Sequence, residues 1–208
     1  VSNLFDELDY CPTEIGTLTR RRRRELKPGV DVYEIKLGEE FVMTSLFTVS
    51  EIALTRLGLA ARSGGRLDVV VGSLGLGYTA LADDPRCQPV QADFFAMAAS
   101  KAGFYPERPG RRFYAVLVDI DHTPDFLLHD RSGSFYQPEG LRAAARHLKP
   151  GGVFGLWSNN SADERFPARL QAAFARAWAE PVTFHNPLTD RPFIQTVYLT
   201  EADAEGAA

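Results

Sequence analysis

The stretch LDVVVGSLGLGYTA, residues 67–80, decides how this chain folds. Val69, Val70 and Val71 form a β-branched run too apolar for a surface strand, which predicts a strand covered on both faces in a parallel sheet. Gly72, Gly75 and Gly77 follow at once. Glycine lets the backbone turn sharply and approach a ligand closely. A strand running into G-x-x-G-x-G and then a helix therefore marks a candidate nucleotide or nucleoside site at the carboxyl edge of the sheet. The competing reading is a tight strand-to-helix turn that binds nothing.

Composition limits what can surround that strand. A chain of 208 residues, 45% hydrophobic and 24% charged, can bury a substantial core, and its length suits one domain plus an appendage. Cys11 and Cys87 form no C-x-x-C pair and are too few to staple a fold, which predicts a reducing, cytoplasmic setting. No apolar run approaches the ~20 residues that span a bilayer, and VSNLFDELDY is acidic where a signal peptide is basic and then apolar. No membrane partner is expected. A formal charge of −4 argues against a general nucleic-acid binder and is compatible with a cationic small substrate.

Upstream, residues 1–47 have strand character and predict a small antiparallel appendage. Residues 32–37 alternate β-formers, and residues 41–47 offer a second strand after a turn at Gly38, Glu39 and Glu40. The run from Arg20 to Arg24 reads as a salt-bridged strand or turn ahead of an anion patch, because Glu25 follows and the chain is acidic. Thr48 and Glu51 space a capping box, and Val49, Ile52, Ala53, Leu57 and Ala60 fall on one helical face. That helix should end near Gly64 and Gly65. Residues 48–208 then form the second unit.

Downstream the chain alternates in the α/β manner. Val90 leads to Asp93, read as a strand tip entering a short helix over residues 96–101. Residues 113–118 form a continuous apolar strand ending in Asp119, Ile120, Asp121 and His122. Pro138 opens a helix whose stripe is Leu141, Ala144, Ala145 and Leu148 and which stops at residues 149–152. Residues 153–157 are the next strand. Phe166, Leu170, Ala173, Phe174, Ala177 and Trp178 share a face of a last helix, and residues 182–185 and 194–200 close the sheet as an antiparallel pair. One interval is too short: about a dozen residues separate Gly77 from Val90, where a helix, a strand carrying a ribose-binding acid and another helix are expected. A βα segment is therefore expected to be missing between Ala82 and Asp83, either left out of the chain or lost by the protein.

Together these motifs resemble the spermidine synthase-like proteins of the class I S-adenosylmethionine-dependent methyltransferase superfamily. The resemblance is carried by the β-rich amino-terminal piece, VVVGSLGLGYTA, QADFF, AVLVDIDHTPDFLL with SFYQPEGL, and RHLKPGGVFGLWS. It implies an α/β, Rossmann-like class I methyltransferase fold with a small N-terminal β appendage. It also implies that Gly72, Ser73, Gly75 and Gly77 line the methionine and ribose part of an adenosyl cofactor, and that Asp93, with Phe94 beside it, faces the adenine amino group. Asp119 would stand where polyamine synthases keep their catalytic aspartate. Asp121, His122 and Tyr136 would face the substrate. Homodimerisation is implied by the resemblance alone.

The chemistry fits those residue types. An amine must lose a proton before it attacks a carbon beside a sulfonium, and a carboxylate at a strand tip can accept that proton or hold the ammonium. Asp119 is that candidate, with an N-cap or loop-ordering role as its alternative. His122 has no partner at ligand spacing and His129, His147 and His185 are scattered, so no metal site is expected. Two departures from the polyamine synthases shift the expected reaction. Those enzymes place an aspartate where this chain has Gly75, and they use a D-x-x-D loop where this chain has Asp119-Ile120-Asp121-His122. Their amino-terminal gate residues have no counterpart in residues 39–45 either. The expected activity is a transferase using S-adenosylmethionine or a related adenosyl sulfonium such as its decarboxylated form, with methyl transfer to a small acceptor, an amine being one candidate, slightly ahead of aminopropyl transfer. A cofactor-binding protein without turnover is the second class.

Overall fold

The structure, a computed structural model, describes residues 4–60, 67–72 and 85–204. Its first unit is a four-stranded antiparallel sheet ordered β1-β2-β3-β4, built from Phe5–Thr13, Gly16–Glu25, Val30–Leu37 and Glu40–Thr44. The arginine run lies in β2 and its alternation sorts the charges. Arg21 and Arg23 point to one face, where each Nε donates to one oxygen of Glu34 at 2.7 Å. Arg22 and Arg24 point to the other face, where Asp31 takes both at 3.2 and 3.1 Å and Asp6 takes Arg22 as well. Glu34 is only 2% exposed. The run is a salt-bridged strand, as its sequence suggests.

The second unit is a mixed five-stranded sheet ordered β5-β6-β7-β9-β8. Strand β5 (Val69–Gly72) pairs in parallel with β6 (Phe113–Val118), which pairs in parallel with β7 (Leu148–Ser158). Strands β8 (Arg176–Asn186) and β9 (Arg191–Glu201) form an antiparallel hairpin, and β9 lies beside β7. Among the described residues β5 is an edge strand. Residues 82 and 83, where a missing segment is expected, lie outside the described residues.

Helices cover both faces of this sheet. Helix α1 (Val49–Ala60) packs against β6, β7 and β9 through Leu54, which joins Ala115, Leu117, Val153, Val197 and Leu199 in one apolar cluster. The opposite face carries α2 (Phe94–Ala99), a 3-10 segment (Asp130–Tyr136), α3 (Pro138–Ala145) and α4 (Arg165–Gln171). Phe94, Phe95, Phe104, Phe135, Tyr136, Phe154 and Phe166 interlock there. The two-sided burial explains why β6 reads FYAVLV with no polar residue but its tyrosine.

Four local expectations are corrected. No strand forms at Val90, which is exposed; Asp93 instead caps α2 directly, accepting the Ala96 N–H at 3.0 Å. The Lys-Pro-Gly-Gly stretch does not terminate a helix but lies inside β7. Between Phe113↔Leu148 and Ala115↔Val153 the chain takes five steps in β7 for two in β6. The excess is accommodated as a bulge at Gly151, whose φ of +63° only glycine adopts cheaply. The last helix ends at Gln171, and Ala177 and Trp178 belong to β8, because the hairpin ladder runs from Arg176↔Glu201 to Asn186↔Arg191. Finally, the buried stripe of α1 is Ser50, Glu51, Leu54, Thr55 and Gly58, not the one centred on Val49, Ile52 and Ala53. The reason is close approach: a Cβ on Gly58 would sit 2.6 Å from Leu117 Cδ2, so the glycine face, not the bulkiest apolar face, meets the sheet.

Candidate functional site

The carboxyl ends of β5, β6 and β7 gather most of the expected site. Gly72 ends β5, and its carbonyl accepts the Asp119 N–H at 3.1 Å, which ties the two strand tips together. A Cβ on Gly72 would lie 2.7 Å from the Phe94 ring. That ring is itself fixed by stacking on Phe104 at 5.0 Å and by an edge contact with Phe135 at 5.7 Å. Strand tip, Phe94 and the Asp93 cap of α2 are thus one packed corner. Ser73, Gly75 and Gly77 lie outside the described residues.

Asp119 is the residue immediately beyond β6 and is 7% exposed. Its Oδ2 is buried and has no hydrogen-bond partner among the described residues. Removal from water pushes its carboxyl up to about 7, because burial penalises the charged form.

Asp121 shows the opposite pattern. Its Oδ1 accepts the Leu128 N–H and its Oδ2 accepts the Tyr136 hydroxyl, both at 2.7 Å. Asp121 and Tyr136 therefore close the loop of residues 122–136 on itself. Tyr136 is fully buried and its hydroxyl is pushed well above the ordinary phenol range, first by burial and then by the Asp121 charge. His122 stacks on Phe126 at 5.4 Å, and its carbonyl accepts the Asn159 N–H at 2.8 Å.

Two features escaped the sequence reading. Glu51, read as half of a capping box, is 8% exposed on the sheet side of α1, and its carboxyl is pushed up to about 8 by burial first and by the Asp119 charge second. At the ends of β7 and β9, Gln195 donates to Asn159 Oδ1 at 2.7 Å and accepts from Trp157 Nε1 at 3.4 Å, so a half-buried amide pair borders the loop that carries His122. The pairing comes from the β7–β9 ladder, which no local pattern announces. Among the described residues no group of three or more His, Cys, Asp and Glu side chains could hold a metal ion, and no helix is long and apolar enough to cross a membrane.

With this geometry in hand, the likeness to solved structures is clear. A spermidine synthase bound to the transition-state analogue AdoDATO superposes with a TM-score of 0.64 at 12% identity, covering 96% of this chain and 75% of that one. The fold is spermidine synthase-like. Spermidine synthase from Thermotoga maritima gives 0.63 at 12% identity over 96% and 73% of the two chains. A probable spermidine synthase from Corynebacterium glutamicum gives 0.51 at 14% identity over 94% and 79%. No family model and no curated protein matches the sequence. The α/β fold with an antiparallel N-terminal sheet is thereby shown, while the reaction is a matter of the site.

Proposed function

We propose that this chain is a transferase using S-adenosylmethionine or a closely related adenosyl sulfonium, with methyl transfer to a small amine acceptor ahead of aminopropyl transfer. The observation that carries the reading is the Asp119 carboxyl, buried at the tip of the central strand with Oδ2 unpartnered among the described residues and its pKa pushed up to about 7 by burial. A base is most effective when its pKa lies near the working pH. The spermidine synthase-like fold supports the cofactor class.

In this reading the cofactor lies at the β5 tip, where Phe94 packs directly on Gly72. When bound, the sulfonium supplies an electrophilic carbon. In this reading Gly72, Ser73, Gly75 and Gly77 give close backbone approach, and Phe94 offers an apolar wall. Asp93 Oδ1 is engaged by the Ala96 N–H, leaving its other oxygen to face an amino group. Asp119 accepts the acceptor's proton at Oδ2. Asp121 and Tyr136 hold the loop beside the acceptor, and His122 contributes an edge to that space. Because Gly75 carries no charge, S-adenosylmethionine binds at least as tightly as its decarboxylated form, and Gly75→Asp shifts preference to the latter.

Thermal unfolding with S-adenosylmethionine, its decarboxylated form and S-adenosylhomocysteine tests the reading. A ligand at a hundred times its Kd stabilises by about 2.7 kcal/mol. For a domain of this size that raises Tm by about 5–10 °C. No shift with any of the three refutes the cofactor assignment, and a shift with the decarboxylated ligand alone transfers the assignment to aminopropyl transfer.

A further inference from the structure

The Lys-Pro-Gly-Gly bulge of β7 lies at the amino edge of the parallel strands, the end of the sheet opposite Asp119. Register there is fixed: Phe113 pairs with Leu148, and its N–H donates to the His147 carbonyl at 2.8 Å. Arg112, just before β6, and Arg146, the C-cap of α3, therefore enter the same corner. The bulge supplies Lys149 and Pro150. The end of β9 closes the corner, because the Ala202 N–H donates to the Gly152 carbonyl at 2.8 Å and the Gly151 N–H to the Asp203 carbonyl at 3.2 Å. Together with residues 171–175, after α4, these walls enclose a cavity of about 410 Å³. Arg112 and Asp119 stand at opposite ends of β6, about 23 Å apart at the rise of a strand, so the cavity is separate from the candidate site.

Its lining divides by chemistry. Ala145, Ala172, Ala173, Ala202, Leu148 and Phe174 make an apolar wall. Arg112, Arg142, Arg146 and Lys149 stand against a single carboxylate, Asp203, although the chain as a whole carries −4. Lys149 is engaged: its Nζ lies 3.3 Å from Asp68 Oδ2 and 3.9 Å from the centre of the Tyr114 ring. The arginines are less committed. Arg142 reaches the exposed Glu139 at 3.4 Å, and Arg146 gives one N–H to the Ala99 carbonyl at 3.4 Å. Arg112 and Arg146 have no carboxylate partner among the described residues.

Arginines in the last turn of a helix complement its partial negative charge, which accounts for Arg142 and Arg146 on α3. It does not account for Arg112, which comes from a strand, or for the cavity between them. Like charges gathered around a concave surface raise the local potential and draw in an anion. Each guanidinium presents a planar fork that matches two phosphate oxygens. The volume falls within the range of small-molecule sites, about 300–1,000 Å³, and the apolar wall leaves room for more than an inorganic ion.

We propose that this amino-edge cavity binds a small organic phosphate, with Arg112, Arg142 and Arg146 on the phosphate oxygens and the alanine-rich wall against the organic body. The assignment is independent of the transferase reading.

Calorimetric titration of the full chain with uridine 5′-diphosphate, inorganic pyrophosphate and uridine tests it, the uracil base being chosen because it is not the base of an adenosyl cofactor. Uridine diphosphate should bind, pyrophosphate about tenfold more weakly and uridine not at all; added salt should weaken the first two. Arg112→Ala and Arg146→Ala should each weaken uridine diphosphate about tenfold, while Arg191→Ala, exposed at the start of β9, should leave it unchanged. All three side chains are exposed, so circular dichroism should show the parent fold in each variant. Uridine diphosphate that fails to bind, binds equally to the parent and both cavity variants, or binds no tighter than pyrophosphate overturns the proposal. Binding of an octauridylate without binding of the mononucleotide also overturns it, and assigns the arginines to a nucleic-acid backbone instead.

Discussion

Replacing Tyr136 with phenylalanine removes one oxygen from a fully buried position and asks whether Asp121 is a ligand for substrate or a brace for its own loop. The hydroxyl donates to Asp121 Oδ2 at 2.7 Å, inside the aromatic cluster of Phe95, Phe135 and Phe166. Because the phenol's pKa is pushed well above its ordinary value, it is a donor throughout the usable pH range. A hydrogen bond to a charged group contributes about 1.5–3 kcal/mol, and an oxygen left buried without a donor costs about 1–3 kcal/mol. These overlap, and the Leu128 N–H still holds Oδ1, so the net loss should be about 2–4 kcal/mol. In a protein of this size that lowers Tm by about 4–16 °C. Urea denaturation at pH 7 followed by circular dichroism, with an unchanged m-value, measures it. A loss below about 0.5 kcal/mol would refute the brace. Unchanged stability with a raised KM for the acceptor would return both residues to substrate binding.

Four further outcomes are expected. Asp119→Asn should cut turnover by about 100-fold or more while leaving cofactor affinity nearly intact. The same variant should be more stable than the parent at pH 8. The native carboxyl's pKa is raised, so the folded state keeps a proton that the unfolded chain gives up above about pH 4; parent stability falls as pH rises to about 7 and the variant escapes that fall. A parent whose Tm is flat from pH 5 to 8 would contradict the burial of an uncompensated carboxyl. Glu34→Gln should cost about 2–4 kcal/mol in denaturation, less than a wholly buried ion pair, because Arg21 and Arg23 keep partial access to water. Gly140→Ala should destabilise more than Gly58→Ala: its Cβ meets backbone, Ser134 O at 2.3 Å, whereas at Gly58 it meets the end of the Leu117 side chain. Equal melting temperatures for the two variants would show that the 3-10 segment yields as readily as a leucine.

By itself the sequence determined the elements whose signal is local. The valine run of β5, the apolar β6 and the short connector between β8 and β9 each state their period or their turn within a few residues, and the structure follows them. It also placed Asp119 at a strand tip, since a carboxylate closing an apolar run reads directly. Only the tertiary structure decided which face of α1 is buried, because that depends on how closely Gly58 lets the helix approach Leu117. That approach buried Glu51, which the local pattern offers only as half of a capping box. Likewise the local pattern at residues 149–152 spells a helix stop, yet pairing with β6 and β9 draws the chain into β7 and leaves the glycine as a bulge. Asp121 and Tyr136 were both legible as polar groups near the edge, but not as partners, since fifteen residues of loop must close before one can reach the other. Local patterns report what a segment prefers; the charge state and partners of a buried side chain are set by whatever the rest of the chain brings against it.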